Sequence, residues 1–130
     1  MIPKLIKGGD FTDHRGSLLF NNDFDASLAK RMYVITNHNI DFVRGWQGHH
    51  IEKRWFLSIS GEFTIFVKKI DDSQDEAQKF LLSSDTLDVL YVPNGYLTAI
   101  ISNKKKSKLM VMSDYHLNEI NDDIRKPYIK

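Results

Sequence analysis

Arg44-Gly45-Trp46-Gln47-Gly48-His49-His50 runs almost directly into Glu52-Lys53-Arg54-Trp55-Phe56. Imidazoles, guanidiniums, an ammonium, a carboxylate and two indoles therefore crowd around two glycines. Cationic and polar groups set among large aromatic ones, just ahead of an apolar run, suit a pocket for a polar, anionic ligand. Guanidinium forks match phosphate and carboxylate oxygens. An imidazole moves protons near neutral pH, and indole faces cover flat rings. Other chemistries lack their residues: no Ser-His-Asp arrangement or phosphate-cradling glycine loop stands out. Glu52 with Glu62 has the composition for acid–base work, but nothing in the sequence sets the distance between them.

The elements that must position these groups read as strand after strand. Alternation and turn signals predict strands at Gly16–Phe20, Lys30–Thr36, Phe42–Trp46, Arg54–Ser60, Glu62–Ile70, Gln78–Ser83, Leu87–Val92, Leu97–Ser102 and Lys108–Ser113. In Glu62–Lys68, Phe63, Ile65 and Val67 share one face while Thr64, Phe66 and Lys68 share the other, as expected inside a two-sheet stack. Ser60-Gly61 marks a tight hairpin. Pro93-Asn94-Gly95 marks a turn, because proline sets φ and Asn-Gly tolerates positive φ. Lys104-Lys105-Lys106 and the acidic Asp71–Glu76 read as solvated loops. Leu117–Lys130 is polar and is expected to form a short helix or a tail packed on the outside. On an extended strand His49 and His50 point to opposite faces, so His49 is taken for the pocket and His50 for the surface. Many short strands without helices indicate an all-β sandwich or barrel.

The chain has 130 residues, enough for one domain with its own core, residues 1–130. Its net charge of +1 provides no basic field for nucleic acid or a membrane surface. With no cysteine, disulfides, thiolate metal sites and cysteine nucleophiles are excluded. Met1 to Gly9 lacks the apolar core of a signal peptide, and no stretch approaches the ~20 apolar residues of a membrane span. The expectation is a soluble cytoplasmic protein.

Several motifs occur together in a telling order: Asp13-His14-Arg15-Gly16, Lys30-Arg31-Met32-Tyr33, Arg44-Gly45-x-x-x-His49, Ser60-Gly61, Val92-Pro93-x-Gly95, and a final Ser113-Asp114-Tyr115. In that order and at about that spacing, the chain resembles the small cupins that act on nucleotide sugars, over roughly Phe11 to Tyr115. It resembles the dTDP-4-keto-6-deoxyglucose 3,4-ketoisomerases (the WxcM-like sugar ketoisomerases), and more distantly the RmlC-like dTDP-4-dehydrorhamnose 3,5-epimerases. The resemblance implies a cupin jelly roll of two antiparallel sheets, usually a homodimer with strands exchanged or packed across the interface. It also implies an isomerase or epimerase of deoxysugar and surface-polysaccharide biosynthesis. Such an enzyme takes a nucleotide-linked 4-keto-6-deoxyhexose and removes a proton next to the ketone.

Carried onto this chain, the resemblance makes His49 the acid/base. Tyr33 and Arg54 become donors to the enolate oxygen. Arg44 holds the sugar, Arg15 and Arg31 bind the diphosphate, and Trp46 and Tyr96 flank the base, the sugar or the pocket mouth. Each has a plainer reading as well: Arg15 caps its turn through Asp13, Arg31 and Arg44 form salt bridges, and Trp46, Trp55 and Tyr96 pack in the core or at an interface. His14, His38 and His116 read as surface residues.

The chain departs from the pattern at the first histidine of the ketoisomerase Arg-Gly-x-His-x-His motif, which is Gln47 here. The 3,5-epimerase base maps to the same residue. An amide has no basic lone pair, so Gln47 is assigned to hydrogen-bonding a sugar oxygen. The epimerase tyrosine corresponds to Met110 and its lysine to Arg54, which disfavours epimerisation at two carbons and leaves a one-base 1,2-carbonyl shift through His49. The four metal-ligand places of cupins read Gln47, His49, Arg54 and Thr98, only one of them a good ligand, so neither a metal nor an organic cofactor is expected. Two alternatives remain: a non-catalytic sugar-nucleotide- or carbohydrate-binding cupin that has lost its base, and an interaction partner of another sugar-pathway enzyme.

Overall fold

The computed structural model describes residues 1–71 and 76–128. Among them lie strands β1 (Lys4–Ile6), β2 (Gly9–Asp13), β3 (Gly16–Phe20), β4 (Arg31–Ile35), β5 (Val43–His49), β6 (Arg54–Ser60), β7 (Glu62–Lys69), β8 (Gln78–Ser83), β9 (Val89–Val92), β10 (Tyr96–Ser102), β11 (Lys108–Ser113) and β12 (Asp123–Arg125). One 3-10 turn, Ala26–Leu28, is capped by the Asp25 carboxylate. Two five-stranded antiparallel sheets carry the fold, in the orders β1-β9-β6-β11-β4 and β12-β5-β10-β7-β8, while β2 and β3 pair as a separate hairpin. The architecture is the all-β, two-sheet jelly roll that the sequence led us to expect.

The two sheets face each other over one apolar core built from Ile35, Phe56, Phe63, Ile65, Val67, Leu82, Leu90, Val92, Tyr96, Ile100, Leu109 and Val111. Strand β7 shows why the pattern folds this way. Phe63, Ile65 and Val67 point inward to that core, while Phe66 turns outward to a second cluster of Trp46, Ile70, Leu97 and Ala99. The turn positions behave as their residues require: Gly61 (φ 76) links β6 to β7, and Gly95 (φ 91) links β9 to β10.

Three expectations change. β5 runs on to His49, beyond the expected end at Trp46. β1 and β2 were not anticipated, because each is short and half-exposed. The segment from Leu117 contains no helix among the described residues. It crosses the mouth of the jelly roll and adds β12 beside β5, in the register Asp123↔His49, Ile124↔Gly48, Arg125↔Gln47. The acidic loop placed at Asp71–Glu76 falls largely outside the described residues.

Two local features of β5 govern the site. Opposite β10, Thr98 pairs with Gln47 but Ile100 pairs with Arg44, so Gly45 and Trp46 together face the single residue Ala99. This bulge shifts the side-chain alternation by one. Arg44 and Gln47, three residues apart, both border the inner cavity, whereas an unbroken strand would turn one of them outward. Gly48 lies in the middle of three strands, and a Cβ there would fall 2.1 Å from the Tyr96 carbonyl oxygen. That contact is with backbone, so the β5–β10 ladder itself would have to open. Gly48→Ala is therefore expected to destabilise the protein by at least about 2 kcal/mol, measured by chemical denaturation. Unchanged stability would show that the two strands are not held this close.

Candidate functional site

A cavity of about 380 Å³ opens at one end between the two sheets. Strand β4 lends it Arg31, Tyr33 and Ile35, β5 lends Arg44, Gln47 and His49, β6 lends Arg54, and the turn before β6 lends Glu52. Nearly half of the lining comes from the C-terminal segment, including His116, Asn121, Asp122 and Asp123.

Arg54 forms its floor. The side chain is almost wholly enclosed (3% exposed). Its Nη1 donates to Thr98 Oγ1 at 3.3 Å and its Nη2 to the Gln47 carbonyl oxygen at 3.2 Å, and the guanidinium lies 5.2 Å over the Phe56 ring. Burial pulls its pKa below the ordinary arginine value, opposed by the fields of Glu52, Asp123 and Asp122. An arginine nonetheless stays cationic. Beside it, burial raises the Tyr33 pKa while the neighbouring arginines pull the other way, so the phenol stays protonated and able to donate. The Arg31 guanidinium stands 5.0 Å over the Tyr33 ring.

His49 occupies the centre and is buried (7% exposed). Its Nδ1 lies 3.0 Å from Asp122 Oδ1. An ionised carboxylate can only accept, so Nδ1 carries the proton and Nε2 is the nitrogen left for chemistry. Nε2 faces Glu52 Oε2 at 3.5 Å and Asp123 Oδ1 at 3.8 Å. Asp122 is itself held firmly, its Oδ2 accepting from the backbone N–H of Ile51 at 2.7 Å and of Glu52 at 3.2 Å. Burial raises the Asp122 pKa, but these donors and the His49 ring outweigh it and hold the carboxyl below 3.8. Gln47 Nε2 donates to Asp123 Oδ1 at 3.0 Å, and Arg125 Nε donates to Asp123 Oδ2 at 3.0 Å. Here too burial raises the pKa, and the two hydrogen bonds overcome it to hold Asp123 low.

Six of the nine residues singled out in the sequence thus meet in one cavity: Arg31, Tyr33, Arg44, Gln47, His49 and Arg54. Three do not line it. Arg15 sits at the tip of the β2–β3 hairpin, exposed, with Nη2 donating to Asp13 Oδ2 at 2.7 Å; the turn-capping reading of Asp-His-Arg-Gly describes it. Trp46 lies on the outer side of the β5 bulge. It packs with Leu97 and Tyr128, Lys68 Nζ lies 4.4 Å over its ring, and it borders a second groove with Phe42, Gly45 and Lys126. Tyr96 is a core residue, because inward positions on β10 alternate as Tyr96, Thr98 and Ile100, and its hydroxyl donates to the Met1 carbonyl oxygen at 3.4 Å.

The sequence reading missed Asp122 and Asp123, which sit in a polar tail with no periodicity to mark them, and only the pairing of β12 with β5 brings them to His49. His116, expected at the surface, is exposed at the rim of the cavity. His49, Glu52 and Asp122 together offer ligand atoms within 4.8 Å of one another. Arg31 Nη2 stands 3.8 Å from Glu52, Arg54 is close by, and Asp122 is already saturated with donors. That donor set suits a neutralised hydrogen-bonded cluster better than a cation.

The site is thus an arginine-lined, histidine-centred cavity at one end of a two-sheet jelly roll. The family described as FdtA, WxcM-like, C-terminal matches residues 2–128, and the chain belongs to that family. Among solved structures, a double mutant of the QdtA 3,4-ketoisomerase from Thermoanaerobacterium thermosaccharolyticum, in complex with TDP, is 25% identical over 95% of this chain and 87% of that one, with a TM-score of 0.73. A 3,4-ketoisomerase from Helicobacter canadensis shares the fold at 23% identity, over 97% of this chain and 92% of that one (TM-score 0.75). The dTDP-4-dehydrorhamnose 3,5-epimerase from Bacillus anthracis shares it at 16% identity, over 95% and 77% (TM-score 0.75). No curated protein sequence matches the chain. Among the described residues no helix is long and apolar enough to cross a membrane.

The Asp122 contacts predict a specific pH dependence. Its folded-state pKa is depressed, so its contribution to stability is complete above the ordinary value of 3.8 and fades as pH falls through the lower folded-state value. Asp122→Asn should cost about 1.5–3 kcal/mol at pH 7. The gap between wild type and variant should close below about pH 4, as read by urea unfolding across pH. A gap that persists at pH 2 would show that the carboxylate charge is not what holds the tail.

Proposed function

We propose that this protein isomerises a nucleotide-linked (dTDP) 4-keto-6-deoxyhexose by metal-free proton abstraction beside the ketone, within deoxysugar or surface-polysaccharide biosynthesis. The observation that carries this reading is the His49–Asp122 pair in an arginine-lined cavity: the carboxylate fixes the tautomer and leaves Nε2 facing the space where a ligand would sit. His49 takes the proton from C3. The fixed charge of Arg54 and the neutral phenol of Tyr33 stabilise the enolate oxygen that results. Arg31 and Arg44 supply the cationic rim for the diphosphate and sugar. Gln47, anchored through its amide nitrogen to Asp123, presents Oε1 to a sugar hydroxyl. Membership of the family and the likeness to a ketoisomerase in complex with TDP support this choice of substrate class.

One specific observation favours a second reading. Gln47 stands where the ketoisomerase motif has a histidine, as it would in a cupin that binds the sugar nucleotide without turning it over. Incubation with TDP-4-keto-6-deoxyglucose in deuterated water, followed by NMR, separates the two. Isomerase action puts deuterium at C3 and yields a new keto-sugar, and His49→Asn should lower both by about 10²–10⁴-fold. Shifted ligand signals without exchange would instead establish the binding protein. Turnover that survives His49→Asn would remove His49 from the mechanism.

The protein is further proposed to work as a homodimer, through the outer face of the first sheet. The β4–β11–β6 register lines up Val34, Met110 and Leu57 in one row and Met32, Met112 and Trp55 in the next. Met112 and Trp55 are buried in a cluster with Phe24 and Ala29, so the open part of the face is Met32 and Val34 beside the half-buried Met110 and Leu57. Met32 (70% exposed) and Val34 (50%) stand on the open edge strand β4, and a contiguous apolar face of this kind marks an interaction surface. Light scattering should return twice the chain mass of 15.1 kDa, and Val34→Lys should shift the population to monomer. A wild-type monomer at micromolar concentration would refute the dimer.

A further inference from the structure

A 3,4-carbonyl shift moves two protons, one between carbons and one between oxygens, and His49 can serve only the first while it holds the C3 proton. Gln47 cannot serve the second, because an amide is neither base nor acid near neutral pH. The cavity holds three carboxylates, and two are fully engaged. Asp122 accepts from His49, Ile51 and Glu52, and Asp123 accepts from Gln47 and Arg125. Glu52 differs. Its side chain is only 6% exposed, and Oε2 is buried without a hydrogen-bond partner. That oxygen lies 3.5 Å from His49 Nε2 and 3.8 Å from Arg31 Nη2, on the cavity wall. A buried carboxylate oxygen left without a donor is costly unless a ligand supplies one. A sugar hydroxyl is such a donor, and two acceptors this close match the C–H and O–H protons of one sugar carbon.

We propose that Glu52 is the second catalytic residue of this site, the one that carries the oxygen-bound proton. This assignment rests on the isomerase reading above. His49 Nε2 removes the C3 proton, the C3–H electron pair becomes the C3=C4 bond, and the former carbonyl pair moves to O4 beside Arg54 and Tyr33. Glu52 Oε2 then takes the proton from O3 as the C3=O3 carbonyl forms, and returns it to O4. His49 gives its proton to C4. The 4-keto-3-hydroxy sugar becomes a 3-keto-4-hydroxy sugar, with every proton and electron pair conserved and no external oxidant or reductant. A carboxylate here does the work that the missing histidine cannot.

The test uses the full chain with TDP-4-keto-6-deoxyglucose in deuterated water, reading C3 deuteration of unconverted substrate separately from 3-keto product. Glu52→Gln should slow product formation by about 100-fold or more, while C3 exchange continues and TDP still binds. Glu52→Asp, which keeps the carboxylate one methylene back, should recover part of the product. Product formed by Glu52→Gln at the wild-type rate would overturn the proposal. So would joint loss of exchange and product with TDP binding intact, which would make Glu52 a positioning residue for His49, and so would failure of Glu52→Asp to recover any product. Wild-type protein that neither exchanges nor converts the substrate would overturn the isomerase reading and the relay with it.

Discussion

A guanidinium sealed between two apolar sheets has to be compensated, and the rest of the cavity is arranged around that requirement. Arg54 is enclosed above the core residue Phe56 and, among the described residues, hydrogen-bonds two oxygens, Thr98 Oγ1 and the Gln47 carbonyl. Two hydrogen bonds do not replace a hydration shell. The remaining compensation comes through space from Glu52, Asp122 and Asp123, all of which act on Arg54 against its burial. Two of those three carboxylates come from the C-terminal segment. Closing the tail over the mouth of the jelly roll is therefore an electrostatic step as much as a packing one.

The same closure prepares His49. Asp122 accepts from the His49 ring and from two successive backbone N–H groups in the turn that follows β5, so one carboxylate fixes both the imidazole and the turn that carries Glu52. β10 can approach β5 closely because Gly48, which also pairs with Ile124 of β12, has no side chain to hold it away. Lys126 extends the connection, donating its backbone N–H to the Trp46 carbonyl at 2.8 Å and its Nζ to the Ile70 carbonyl at 3.1 Å. The outward packing of Trp46 with Tyr128 is then part of what holds the tail in place, and so serves the site from the other side of the sheet.

Against this background the glutamine at position 47 reads as one part of a redistributed set of groups. Where the ketoisomerase motif has a histidine, this chain has an amide bonded to Asp123, with Glu52 buried near the same ring nitrogen of His49. Arg31, Arg44 and Arg54 face Glu52, Asp122 and Asp123 across the cavity, which balances its formal charge before His49 and the rim residue Arg125 are counted. An anionic ligand entering such a site meets guanidiniums already positioned, and at Arg31, 3.8 Å from Glu52, its oxygens can take over a carboxylate's contact. Glu52, with its open acceptor, offers a place for a hydroxyl.

From sequence alone, much of the architecture was readable, because strands in a two-sheet stack carry their burial in a period of two. Glu62–Lys68 shows this in its alternating Phe63, Ile65 and Val67, and Ser60-Gly61 and Pro93-Asn94-Gly95 mark turns by their own backbone preferences. The motif order also pointed to the family, and its clustering of Arg44, Gln47 and His49 with Arg31, Tyr33 and Arg54 matches the cavity. What the tertiary structure decided were the facts that depend on non-local pairing. The β5 bulge, visible only as a register against β10, sets which side of the strand Arg44 and Trp46 take. Tyr96, next to a turn, falls in the core because of the parity of β10, and Arg15 stays on its own hairpin with Asp13. Asp122 lies 73 residues from His49 along the chain, in a tail whose polar composition carries no periodic signal. Sequence patterns record which residues prefer burial; only the closed chain determines which carboxylate reaches which imidazole.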